Sequence, residues 1–302
     1  MGAMRREECG VVLAGLDSLR RTKLMESLLV ERVLRKSHRV LEVWEASGRD
    51  WNQTLYHITA YAMGAPKNGG QMEELARRAT YLMCLKERSS QRRVEALLLG
   101  TSGLLGEEFF DDYIVRLQEE YEYLVGKYQL RSMTAGSWNR SHLLPAGGPV
   151  MRIAQLAALV AREEYSVDTV LGLRSLGEVE GLFRVSASEY WQGKYVPNGK
   201  PHSGSGRMGR QKVEMLAINL VVPLQFAYAT VMNNAELKER ALELLEAIPA
   251  EQNRVVATWT GYGVPCGSAY ESQALLELAA KCEGRLCEEC ALGRMRRMKA
   301  LG

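Results

Sequence analysis

No stretch of this 302-residue chain alternates apolar and polar residues long enough to read as a half-buried strand. That absence argues against a sheet before any helix is assigned. Histidine is scarce: none of His38, His57, His142 and His202 has a nucleophile and an acid at triad spacing, so a hydrolytic constellation is missing. Charge of one sign is scarce too, with a formal net of +3, too small to argue for nucleic acid by itself. No run approaches the roughly 18 apolar residues of a membrane span. The opening Met1-Gly-Ala-Met-Arg-Arg-Glu-Glu8 has no signal-peptide core. Six cysteines without a secretory signal point to a reducing cytoplasm, where clustered thiols bind metal more often than they pair.

What the chain does have is helical period almost throughout. From Asp17 to Trp44, apolar residues recur at Leu24, Leu28, Leu34 and Leu41, and Gly48 closes the run. Asp50 stands three before Gln53, a capping-box-like start for Trp51–Met63, which stops at Gly64-Ala-Pro66. Helices follow over Gln71–Lys86, Gln91–Leu99 and Glu107–Tyr128. Residues Gln129 to Pro149 break the pattern with Gly136, Pro145, Gly147 and Gly148. Beyond them come Met151–Arg162, Val167–Leu173, Glu178–Tyr195, an apolar rod over Val213–Val231 kinked at Pro223, Ala235–Ala247, Gln252–Trp259 and a last helix ending at Cys282. The expected fold is all-α, about ten helices in two lobes: 1–128, a structured linker 129–150, and 151–302. Asn219 inside the rod is expected to bond a neighbouring backbone group, and Glu95 to be partly buried with Arg92 or Arg93 as partner.

One stretch has ligand chemistry at close spacing. Cys282, Cys287 and Cys290 fall within nine residues at a helix end, with Gly284 in the turn between them. Thiolates so spaced suit a soft metal, zinc before an iron–sulfur cluster, in a structural role. A closed site needs four ligands, and Cys9, Cys266 and the histidines are the candidates for the fourth. Three ordinary free thiols are the plainer alternative. A second biased stretch is the loop holding Lys194, Lys200, Arg207, Arg210 and Lys212 with no acid among them, a candidate phosphate contact or a merely solvated, disordered loop. Its Gly204-x-Gly206-x-x-Gly209 lacks the preceding strand of a dinucleotide fingerprint, so no nucleotide cofactor is expected. Tyr190, Trp191 and Tyr195 beside it suit base stacking or, more often for aromatics closing a helix, a core. Basic residues recur in the tail Arg294–Lys299.

The segments Leu28–Ser37, Val94–Leu105, Arg152–Leu159, Ala187–Gln192, Ile218–Pro223 and Ser272–Leu276, with the three cysteines, resemble a bacterial family catalogued as domain of unknown function 2851. The resemblance implies no named activity. It implies an N-terminal α/β segment in full-length relatives, with acidic residues suggestive of a metal-dependent nuclease, that this chain lacks. It also favours Cys9 as the fourth ligand, because relatives carry a cysteine just before the first long helix. One departure is Leu144-Pro-Ala-Gly-Gly-Pro149, where relatives have Arg-Pro-x-Asn-(Phe or His)-Pro. The resulting expectation is a non-catalytic module that holds nucleic acid or a protein partner, away from any membrane. The alternative is a scaffold stabilised by zinc.

Overall fold

A computed structural model describes residues 6–106, 111–284, 286–288, 290 and 292–294. Among the described residues are fifteen α-helices and no strand, so the all-α expectation holds. In chain order they are α1 (Arg6–Ala14), α2 (Ser18–Ala46), α3 (Trp51–Gly64), α4 (Gly69–Arg78), α5 (Tyr81–Glu87), α6 (Gln91–Thr101), α7 (Asp112–Tyr128) and α8 (Pro149–Val160). The rest are α9 (Val167–Gly172), α10 (Leu176–Phe183), α11 (Arg210–Leu216), α12 (Val222–Val231), α13 (Ala235–Glu246), α14 (Arg254–Gly261) and α15 (Ala269–Glu283). The count exceeds ten because some periodic runs break. The run read as one helix over Gln71–Lys86 is interrupted at Ala79, and Thr80 caps the new helix α5 by accepting from the Met83 N–H. The start of the helix expected over Glu107–Tyr128 lies outside the described residues.

The chain divides into two compact units, Val40–Leu224 and Met1–Arg39 with Gln225–Gly302. This division differs from lobes split at 129–150. The expected linker is stapled into the first of these units. Trp138 is buried and donates to the Ser102 carbonyl (2.9 Å), Asn68 and Asn139 bond twice, and Lys67 donates to the Ser141 carbonyl (2.6 Å). Pairing these backbone groups inside one unit leaves the segment nothing to link.

Within Val40–Leu224, α6 is buried from Val94 to Thr101 between α7 and α8. Gly100 makes that fit, since a Cβ there would lie 2.1 Å from the Tyr121 ring. The rod from Arg210 to Val231 is interrupted by a π-helical turn at Ala217–Val221, immediately before Pro223. A proline ring crowds the carbonyl four residues back, and a π-turn relieves that crowding. Asn219 on this turn is exposed rather than buried, and donates to the Met215 carbonyl (2.9 Å). The rod is also long and apolar enough to cross a membrane, with a mean hydropathy of 1.4 over its best window. Of that window, 72% is buried inside the protein, which is how a core helix passes the same test.

Candidate metal centre

The candidate site belongs to the unit made of the two chain ends, and α15 positions it. Ser268 and Glu271 form a capping box at the start of α15, each satisfying a backbone N–H of the other's neighbourhood. Along its length α15 is tied to α2: Arg32 and Lys36 both donate to Gln273 Oε1 (2.7 and 2.5 Å), Arg35 pairs with Glu277 (2.5 Å), and Lys281 pairs with Glu31 (2.5 Å). Gln273 in turn donates to Glu251. Within this seam burial, then the charge of Arg32, pushes the Lys36 amine down to about 7, while Arg35 stays exposed. The helix therefore has a fixed rotation and a fixed end, and Cys282 lies in its last turn.

Beyond Gly284 the backbone turns back. The Leu286 N–H donates to the Lys281 carbonyl (2.9 Å), the Cys290 N–H to the Leu286 carbonyl (3.0 Å), and the Arg294 N–H to the Cys290 carbonyl (3.0 Å). Gly293 comes so close to Cys287 that a Cβ would lie 2.0 Å from its carbonyl oxygen. From the other end of the chain, α1 brings Cys9. Gly10 permits this approach, because a Cβ would meet the Tyr262 ring at 2.5 Å.

Cys9 and Cys282 share a thiol hydrogen bond, which is the largest reason that the Cys9 thiol resists ionisation. Burial adds to this, and so do the charges that Cys282, Cys290 and Cys287 would carry. Cys9 and Cys290 are buried, while Cys282 and Cys287 are half-buried. All are free thiols. Cys282, Cys287 and Cys290 thus lie near enough to influence Cys9, which comes from the far end of the chain. Among the described residues, no three His, Cys, Asp or Glu side chains already surround a single point as metal ligands do. Cys266, the other candidate, is absent from the groups acting on Cys9; burial raises its own thiol to about 11. Cys84 belongs to the other unit, buried against the Tyr56 hydroxyl at 3.7 Å.

The cationic stretch does not form a disordered loop. The Gly193 N–H donates to the Gly204 carbonyl (2.8 Å), the His202 N–H to Gly193 (3.0 Å) and the Met208 N–H to Val185 (2.8 Å), while Tyr195 stacks on His202. Three of its five cations are engaged within the fold. Lys194 pairs with Asp111 (2.6 Å), Arg210 with Glu214 and Glu180 (3.1 and 3.2 Å), and Lys212 is buried, donating to the Ala62 and Ala65 carbonyls (2.7 and 3.2 Å). Lys200 and Arg207 are exposed. The aromatics are core-like: Trp191 is fully buried and Tyr190 stacks on Tyr113 at 4.5 Å. Most of the basic tail, residues 295–299, lies outside the described residues.

Glu95 is fully buried, but its partner is neither Arg92 nor Arg93, which pair with Glu120. The Trp191 Nε1–H donates to Glu95 Oε1 at 2.5 Å, and the mutually bonded hydroxyls of Tyr113 and Ser188 lie against the carboxyl. Burial outweighs these bonds and raises the carboxyl to about 7. A polar cleft of about 490 Å³ is lined by Glu42, Ser47, His57, Glu73 and Arg77. The His57 Nε2 there is taken by the Gln53 side chain at 2.7 Å, not by a hydroxyl. The geometry of a nucleophile and its base is therefore not met at this cleft.

Helices without a strand among the described residues define the protein as all-α. The chain belongs to the family described as "Protein of unknown function (DUF2851)", whose profile matches residues 2–254. The match takes in Cys9 and ends before α15 and its cysteines. Comparison with curated proteins and with solved structures finds no match.

Proposed function

We propose that the chain is a non-catalytic helical module whose two ends are pinned by one zinc ion on Cys9, Cys282, Cys287 and Cys290. The observation that supports it best is the Cys9–Cys282 thiol contact, with Cys287 and Cys290 near enough to act on Cys9. The four thiols come from two stretches of backbone, α1 and the segment 282–290, and four is the number of ligands that a closed structural zinc site takes. Zinc displaces the thiol protons, offsets the mutual repulsion of the thiolates and draws the sulfurs to about 2.3 Å from itself. The site's role is stability, and a reducing compartment keeps its thiols available. Chelation tests this. Prolonged incubation with a strong zinc chelator lowers the melting temperature of the protein, and added zinc restores it. Identical melting curves with and without metal count against the reading.

A nucleic-acid-holding role has weaker support, because only Lys200 and Arg207 of the five loop cations have no ion-pair or buried engagement among the described residues. Fluorescence anisotropy with DNA and RNA at low salt decides it. Salt-dependent binding that Lys200→Glu and Arg207→Glu both weaken supports the role, and no binding removes it.

A further inference from the structure

Gln53 and His57 stand four residues apart on α3, so their side chains share one helix face, and Gln53 decides where the imidazole carries its proton. The Tyr81 N–H can only donate. It donates to Gln53 Oε1 (3.1 Å), which turns the amide NH2 toward His57 Nε2 at 2.7 Å. Nε2 therefore accepts, and the neutral ring has its proton on Nδ1. Burial favours the same neutral ring, and Glu73 and Arg77 are the charges near enough to act on it. His57 is only 8% exposed, yet its Nδ1 has no hydrogen-bond partner among the described residues and is not one of the fully enclosed polar atoms. The cleft that the ring lines is the opening left to it. A donor on so buried a side chain is favourable only with an acceptor opposite.

The rest of the cleft limits what that acceptor belongs to. Its walls all fall within the Val40–Leu224 unit, with Glu42, Val43 and Ala46 at the end of α2, and Glu73 and Arg77 on α4. A metal ion does not suit it, because the imidazole lone pair is spent on Gln53 and the ring presents an N–H instead. Nor does an anion, since Arg77 is already shared between Glu73 and Glu74 (3.6 and 2.9 Å). Glu42, by contrast, has no ion pair among the described residues. The lining thus sets two carboxylates and a neutral N–H donor against one engaged guanidinium, with Val43 and Ala46 as a short apolar wall. Its complement is an ammonium with a carbonyl oxygen beside it on a small carbon frame, and about 490 Å³ holds a molecule of that size.

We propose that this cleft binds an α-amino carbonyl group, its ammonium between Glu42 and Glu73 and its carbonyl oxygen on the His57 Nδ1–H, carried either by a small amino amide or by the free N-terminus of a peptide. No cysteine of the candidate metal centre lines it. NMR titration of the intact, isotope-labelled protein at low ionic strength provides the test, at about pH 7, where an α-amino group is mostly protonated. L-alaninamide and tri-L-alanine amide are the probes. Saturable shifts at the α3 and α4 residues of the cleft are expected, with a Kd in the millimolar range or tighter. Glu42→Gln, at an exposed position, should weaken binding about tenfold, and so should His57→Phe, which keeps the bulk of the ring. N-acetyl-L-alaninamide, which lacks the charge, and isopropylamine, which lacks the carbonyl, should each bind about tenfold more weakly than L-alaninamide. Tighter binding of the tripeptide amide assigns the cleft to a peptide N-terminus, and equal or weaker binding assigns it to the small amide. No saturable shift with either amide overturns the proposal, as does binding that Glu42→Gln and His57→Phe leave unchanged. So does isopropylamine binding as tightly as L-alaninamide, since the carbonyl then meets no donor. Should His57→Phe fail to fold, the exposed Glu42 variant and the two control ligands still decide the question.

Discussion

A carboxyl buried without a cation changes the pH at which a protein is most stable, and Glu95 carries that effect here. Its folded-state value of about 7 lies above the ordinary 4.5. The protonated form is therefore the one that the fold accommodates. Stability from this group is complete below pH 4.5 and is lost as pH rises through about 7, where the buried carboxyl ionises. A shift of that size corresponds to about 3 kcal/mol. Glu95→Gln keeps the Trp191 hydrogen bond and removes the charge, so urea unfolding of the variant should lack the fall between pH 5 and pH 8 that the parent shows. Identical pH profiles for the two proteins contradict this assignment. His57, its value lowered by burial, acts with the opposite sign, and the difference between parent and variant removes its share. The burial of Glu95 was readable from its place in an apolar run. Its partner was not, because Trp191 lies 96 residues away and nothing local marks the pairing. The same holds for Lys212. It reads as the last member of a basic loop, and only the packing of α11 against α3 turns it inward.

At the scale of elements, caps and close approaches carry the consequences. Ser268 starts the helix that bears Cys282, and removing its side-chain oxygen with Ser268→Ala should cost about 1 kcal/mol by chemical denaturation. Cooperative unfolding unchanged within a few tenths of a kcal/mol means the capping box contributes nothing. In the loop after Trp191, Gly206 has a φ of +59° and a Cβ would stand 3.0 Å from the Trp191 carbonyl oxygen. Gly206→Ala should therefore destabilise by about 1–2 kcal/mol and raise amide hydrogen exchange at Gly193 and His202, whose N–H groups hold the loop closed. Exchange as slow as in the parent contradicts the folded-loop description. Helix ends were legible where the signal is local: Gly48 with φ +69° follows α2, and Asp50 caps α3 through the Asn52 and Gln53 N–H groups. Gln53 does not complete that capping box, since its side chain is drawn to His57 and the Tyr81 N–H. The closed form of the Lys194–Lys212 loop was illegible, because Gly- and Ser-rich composition records flexibility of the unfolded chain and not the backbone bonds that close it.

For the whole molecule, the sequence yields the class and not the division. Fifteen helices and no strand among the described residues predict far-ultraviolet dichroism dominated by helix, with double minima near 208 and 222 nm on the order of those of all-helical proteins; a strand content near about 20% contradicts the fold. The two units were hidden because one gathers both chain ends, and periodicity along a sequence does not report contacts between residues some 270 positions apart. For the cysteines, ligand chemistry narrows the choice of distant partner to a few residues, which periodicity does not. The central claim is that these four thiols hold one zinc, and metal analysis of the purified, zinc-replete protein by inductively coupled plasma mass spectrometry tests it most directly. About one zinc per chain is expected in the parent and in Cys84→Ser, with loss of the metal and of thermal stability in Cys287→Ser and in Cys9→Ser. A parent protein that holds no zinc after dialysis, or a Cys9→Ser variant that holds as much as the parent, contradicts the account.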